Sequence, residues 1–180
     1  DNIMNVLRQI SSNMYLACGM TMILIAGGID LSVGSIVAIT GVTAGTLLNM
    51  GLPIPAAIVI CLLAGAVYGS INGVIITRTT LPPFIVTYAM MQILRGATYV
   101  YTGGTTVQID DRTFTNLGTG YVLGIVPLPV VYMLVVFVIV FIVLNKTRLG
   151  RHIYAVGGNE KAARFSGINV RRTRLFVYVF

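Results

Sequence analysis

Two small sets of polar residues stand out in a chain that is otherwise mostly apolar. In the first, Asp30 and Ser32 lie within Gly27-Gly28-Ile29-Asp30-Leu31-Ser32-Val33-Gly34-Ser35. Asn72, Thr87, Gln92 and Arg95 follow within apolar runs, and Gln92 and Arg95 share one helix face. Carboxylate, amide and hydroxyl groups suit hydrogen bonding to an uncharged, hydroxylated solute. The second set is contiguous: Asn159, Glu160, Lys161, Ala162, Ala163, Arg164, Phe165, Ser166 and Gly167. Asn159 is an N-cap residue, Glu160 suits the positive end of a first turn, and Gly167 suits a helix stop. This spells a helix of about two turns, too short to persist alone. It needs a partner surface, either another protein or anionic lipid held by Lys161 and Arg164.

Covalent catalysis finds no support. His152 is the only histidine and stands apart from any Ser/Asp partner set. No G-x-x-x-x-G-K-[ST] phosphate loop occurs. Cys18 and Cys61 sit in apolar stretches at no motif spacing, as packing thiols do, and no metal site is legible. A membrane enzyme acting on lipid-linked sugar would need clustered acids or histidines near one aqueous side, and only Asp30 stands near a span.

The elements that must position these residues are membrane helices. Of 180 residues 56% are apolar and 9% charged, against about 25% charged in an ordinary soluble domain. That composition excludes a soluble domain and a disordered chain alike. Five apolar segments approach the ~20 residues that cross a bilayer: 14–26 with a lead-in from residue 3, then 33–48, 55–77, 83–101 and 125–144. A sixth begins after Arg174. The expected fold is therefore an all-α, polytopic transmembrane bundle. On the third span Gly65, Gly69 and Gly73 recur every four residues, which allows close helix packing.

Charge sets the orientation. From Lys146 to Arg174 eight basic residues face one acid, Glu160, a net charge equal to the whole chain's +7. Between apolar spans such a segment marks the cytoplasmic side rather than a nucleic-acid surface. Residues 145–172 are thus expected in the cytoplasm, and the Asn145-Lys146-Thr147 glycosylation pattern there is set aside. Alternation puts 102–124 outside, Arg78 inside and Gly27 to Leu31 toward the inside. Two readings of that last turn stay open. Asp30 caps the next helix in a cytoplasmic turn, or the two glycines break the helix within the membrane and Asp30 and Ser32 lie near a solute path.

The run from Ala26 to Ser35, the run Arg95-Gly96-Ala97-Thr98-Tyr99-Val100-Tyr101-Thr102-Gly103-Gly104 and the loop from Leu149 to Val170 resemble the permease subunits of bacterial ABC sugar importers of the ribose, xylose and galactose class. The resemblance covers essentially the whole chain. It implies one permease domain over 1–180, cut at both ends, in the bacterial inner membrane, with 145–172 its cytoplasmic coupling loop. It implies a function, import of ribose or a related pentose, and a set of partners: cytoplasmic ATP-binding subunits, a periplasmic or lipid-anchored sugar-binding protein, a second permease copy and membrane lipid. ATP then binds the partner, and no cofactor belongs to this chain. The residues from Asn159 to Arg164, with Ser166 and Gly167, become the ATPase-coupling element. Asp30, Ser32, Asn72 and Gln92 become candidates for the translocation path. A stand-alone secondary transporter or channel is the alternative, and it would need no ATPase-docking helix.

Overall fold

The computed structural model describes residues 2–109, 111–122 and 124–180, so Asp110, within the 102–124 loop, lies outside the described residues, as does Asp1. Helices carry almost all of the fold: α1 (Asn2–Ile25), α2 (Val33–Asn49), α3 (Ile54–Arg78), α4 (Pro83–Thr102), α5 (Arg112–Thr119), α6 (Leu128–Lys146), α7 (Arg148–Gly158), α8 (Glu160–Phe165) and α9 (Val170–Val179). Two-residue strands β1 (Tyr121–Val122) and β2 (Val126–Pro127) make an antiparallel pair between α5 and α6. That pair corrects the expected start of the last long span. Val126 and Pro127 are extended, and the helix opens at Leu128 with Pro129 in its first turn, where a missing N–H leaves no bond unmade.

Helices α3 and α6 are long and apolar enough to cross a membrane, and α2 is a shorter apolar helix. Helix ends follow local chemistry. Gly27 takes φ +77°, a conformation only glycine adopts without strain, and the N–H groups of Gly27 and Gly28 close on the carbonyls of Leu24 and Ile23. Gly167 ends α8 in the same way, with φ +81°, its N–H donating to Arg164 O and that of Ile168 to Ala163 O.

Helix α9 packs against α3, α1 against α6, and α2 against both α3 and α4. The main core holds Met22, Ile76, Val140, Ile153, Val177 and Tyr178, among others, and so draws on α1, α3, α6, α7 and α9. A satellite core of Val156, Ala163 and Val170 joins α7, α8 and α9.

The connections sort to two ends of the bundle. At one end the guanidinium of Arg8 on α1 donates to Thr119 O, and Asn49 Nδ2 donates to Gln108 O. At the other end Gly157 on α7 lies so close to the C-terminal carbonyl of α1, at Ile25, that a methyl group on it would overlap that oxygen. The α1–α2 turn, the α3–α4 turn and the α7–α8 unit thus share one end. The α2–α3 turn and residues 103–109 and 111–122 share the other.

Candidate functional site

Asp30 is buried, at 3% exposure, although it lies in a turn. The turn is recessed. Asn72 lies six residues before the end of α3, and Thr87 lies four residues into α4. At 1.5 Å per residue these are depths of about 9 and 6 Å from their helix ends. A network of hydrogen bonds ties the turn to its surroundings. Asp30 Oδ1 accepts from Ser32 N at 2.7 Å and from Ser32 Oγ at 2.6 Å. Asn72 Nδ2 on α3 donates to Ser32 Oγ at 2.9 Å. The carbonyl of Ile29 accepts from Thr87 Oγ1 on α4 and from the Tyr178 hydroxyl on α9, each at 3.3 Å. Ser32 precedes α2 but makes no cap bond through its side chain. Its N–H and its hydroxyl are both committed to Asp30, so Asp30 shapes the approach to α2.

Three of the four residues read from the sequence as a solute path are therefore brought together: Asp30, Ser32 and Asn72. Gln92 is not among them. It is exposed on α4, more than a helical turn beyond Thr87. Asn72 Oδ1 is buried without a hydrogen-bond partner. Asp30 also borders a cleft of about 350 Å³ between α1, α2, α3 and α9, with Tyr15, Thr40 and Tyr178 on its walls.

Tyr178 was not legible as a site residue, because α9 reads only as the start of a further span. The signal lay in the glycines. A methyl at Gly69 would overlap the Tyr178 carbonyl, and one at Gly73 would come within 2.9 Å of Leu175 Cδ1. One at Gly28 would come within 2.5 Å of the Tyr178 hydroxyl. Gly65, in the same stripe, has only Ile36 at 3.9 Å. The stripe therefore seats α9 through two of its three members.

A second cleft of about 580 Å³ opens between α2, α4 and the irregular segment that follows α4. Ser35, Arg95, Thr98, Tyr99, Thr105 and Thr106 contribute to its wall. It extends to the opposite end of the bundle, and its hydroxyls and single guanidinium can donate to and accept from a polyol.

The third region is α8. Asn159 Oδ1 accepts from Ala162 N at 3.0 Å, the N-cap bond its sequence position suggests. Glu160 pairs with Arg164 at 3.1 Å and with Arg174 of α9 at 2.9 Å. Ala163 points inward at 4% exposure, onto Val156 and Val170. Lys161, Ala162, Arg164 and Ser166 face outward, and Phe165 is 92% exposed. The bare Phe165 ring lies beside Lys161 and Arg164 on the outer side of the helix. The preceding α7, which the sequence shows only as basic loop, lays Ile153 and Val156 on the bundle.

Long apolar helices, a turn with a buried acid and a short exposed helix at one end are the features of a helical membrane protein. The chain belongs to the family described as the permease component of branched-chain amino acid transport systems, whose model matches residues 2–180. It is 46% identical over 182 residues to the ribose import permease protein RbsC of Haemophilus influenzae, covering 99% of this chain and 56% of that relative. It is 44% identical to the RbsC of Bacillus subtilis, covering 98% of this chain and 55% of the relative. The D-allose transport system permease protein AlsC of Escherichia coli is 37% identical over 99% of this chain and 55% of its own length. The chain thus spans little more than half the length of these relatives. No solved structure matches it.

Proposed function

We propose that this chain is the larger part of a permease subunit in an ATP-driven importer of a monosaccharide, ribose or a related pentose. The observation that carries the reading is the 46% identity, over 99% of the chain, to a ribose import permease. In this reading α1, α2, α3, α4 and α6 cross the bacterial inner membrane and α9 begins a sixth crossing. The end bearing α7 and α8 is cytoplasmic, following its excess of Lys and Arg. A second copy of the permease completes the pathway, and a sugar-binding protein delivers solute at the opposite end.

The chemistry asked of this chain is passive. ATP is hydrolysed on separate cytoplasmic subunits, and the chain supplies a path and a handle. The handle is the exposed face of α8, with Lys161, Arg164 and Phe165; Ala163 serves instead as the helix's buried anchor. The recess of the Gly27–Ser32 turn favours a helix break below the lipid surface over a water-exposed turn. Irregular backbone at that depth requires protein groups to take its hydrogen bonds: Asp30 takes the Ser32 N–H, and Thr87 and Tyr178 take the Ile29 carbonyl. The open acceptor on Asn72 and the carboxylate of Asp30 are groups that sugar hydroxyls can reach when the helices part.

The test uses the full-length permease in proteoliposomes with its ATPase and sugar-binding protein. Wild type is expected to accumulate ribose only with ATP, and excess leucine is expected not to compete. Changing Lys161→Glu together with Phe165→Ala is expected to lower ATPase capture at least about tenfold and abolish uptake. Ribose entry without ATP or ATPase would overturn the importer reading in favour of a channel or secondary transporter. Full capture and uptake by the double variant would remove α8 from the docking role.

A further inference from the structure

Helix α9 touches both polar regions that the sequence leaves unconnected. At its first turns Arg174 Nη2 meets Glu160 Oε2 of α8 at 2.9 Å. One helical turn later the Tyr178 hydroxyl donates to Ile29 O, beside Asp30. Residues 174 and 178 stand four apart and so lie on one face, about 6 Å along the axis.

Both attachments join elements that are anchored in the fold. Glu160 belongs to α8, which is capped by Asn159 and anchored through Ala163 on Val156 and Val170. Asn169 Oδ1 accepts from Arg172 N at 3.0 Å and fixes the start of α9. Farther on, the bare backbones at Gly69 and Gly73 let α9 lie directly on α3, and Gly28 leaves room for the Tyr178 hydroxyl. Close-packed contacts of this kind transmit displacement instead of absorbing it. Thr87 of α4 donates to the same Ile29 carbonyl, so a movement of α9 pulls on the turn against α4.

We infer that α9 is a strut that carries displacement of α8 to the Asp30 turn, with Arg174 and Tyr178 as its two positioning residues. The inference rests on the permease reading above and adds the route by which ATPase motion reaches the solute path. A push on α8 enters at the Glu160–Arg174 pair, passes one helical turn, and shifts Ile29 and hence Asp30, Ser32 and Asn72. The strut involves no residue of the open cleft near Arg95, so it acts on one end of the path.

The test is coupling, read as ribose taken up per ATP hydrolysed by the full-length complex. Tyr178→Phe keeps the ring and loses the hydroxyl. It is expected to leave ATPase capture and hydrolysis unchanged and to lower uptake per ATP about fivefold, the scale of one hydrogen bond. Arg174→Gln removes the other joint and is expected to lower coupling to a similar degree. The double variant is expected to do no worse than the stronger single one, because the joints act in series. Arg171→Gln, an equal charge loss at an exposed position on α9, is the control and is expected to couple as wild type does.

Unchanged coupling in Tyr178→Phe, or additive losses in the double variant, would overturn the strut. If Tyr178→Phe does not assemble, Arg174→Gln alone decides: normal coupling there overturns the proposal. A wild type that transports without ATP would instead defeat the underlying permease reading.

Discussion

The Asp30 turn and helix α8 use the same local device in opposite surroundings. In each, an Asp or Asn side chain accepts a backbone N–H just downstream: Asp30 from Ser32 at 2.7 Å and Asn159 from Ala162 at 3.0 Å. Each follows or precedes a glycine-terminated helix. Yet Asp30 is 3% exposed and is walled by four helices, while α8 shows Phe165 at 92% exposure. The difference teaches that a capping bond is a matter of local sequence, whereas its energetic weight belongs to the surroundings. A freed N–H beside α8 finds water. A freed N–H on Ser32, which is fully buried, faces protein.

The sharpest way to break this comparison is at the packing that buries the turn. Gly69→Val sets a branched side chain against the Tyr178 carbonyl and should cost about 3 kcal/mol or more, seen as a lower melting midpoint of the detergent-purified full-length permease. Gly65→Ala, with only Ile36 near at 3.9 Å, should leave that midpoint in place. Equal effects at the two glycines would show that α9 is not seated by the stripe as described.

The paired deletions come next. Asp30→Ala strands the N–H and hydroxyl of a fully buried Ser32 and should destabilise by about 2 kcal/mol. Asn159→Ala should cost about 1 kcal/mol. It should appear as faster hydrogen exchange at the Ala162 amide and not as a global loss of stability. If the two variants lowered global stability alike, burial would not separate the regions.

The smallest effects belong to the outer face of α8. Arg164 is 72% exposed on its side of the Glu160 pair, and Arg164→Gln should change stability by less than about 0.5 kcal/mol. Phe165→Ala should fall in the same range in the melting experiment while weakening ATPase capture. A large stability loss from Phe165→Ala would mean that the ring packs in the folded protein and is not a free docking group.

Much of the helical framework was readable from neighbours in sequence. Pro83 opens α4, the glycines at 27 and 167 end helices through their positive φ, and the spans read from apolar runs match α2, α3 and α4 to within a residue or two. These features are local, set by backbone sterics and by side chains within one or two turns. Helix α7 was harder to see because its apolar stripe is short, and its seat, through Gly157 on the end of α1 and through Ile153 and Val156 in the two cores, forms only in the folded bundle.

The candidate site divides along the same line. Composition pointed to a helical membrane protein, three runs carried the resemblance to sugar-importer permeases, and residue types singled out Asp30, Ser32, Asn72, Gln92 and Asn159 to Gly167. Only the tertiary structure decided that Gln92 stands apart from the others, that Ala163 faces inward, that Gly69 and Gly73 matter where Gly65 does not, and that Tyr178 belongs to the Asp30 turn. The last of these joins residues 149 positions apart. Such a contact leaves no periodicity or local propensity to read, because it exists only once Gly28 in the turn and Gly69 and Gly73 on α3 have let α9 approach.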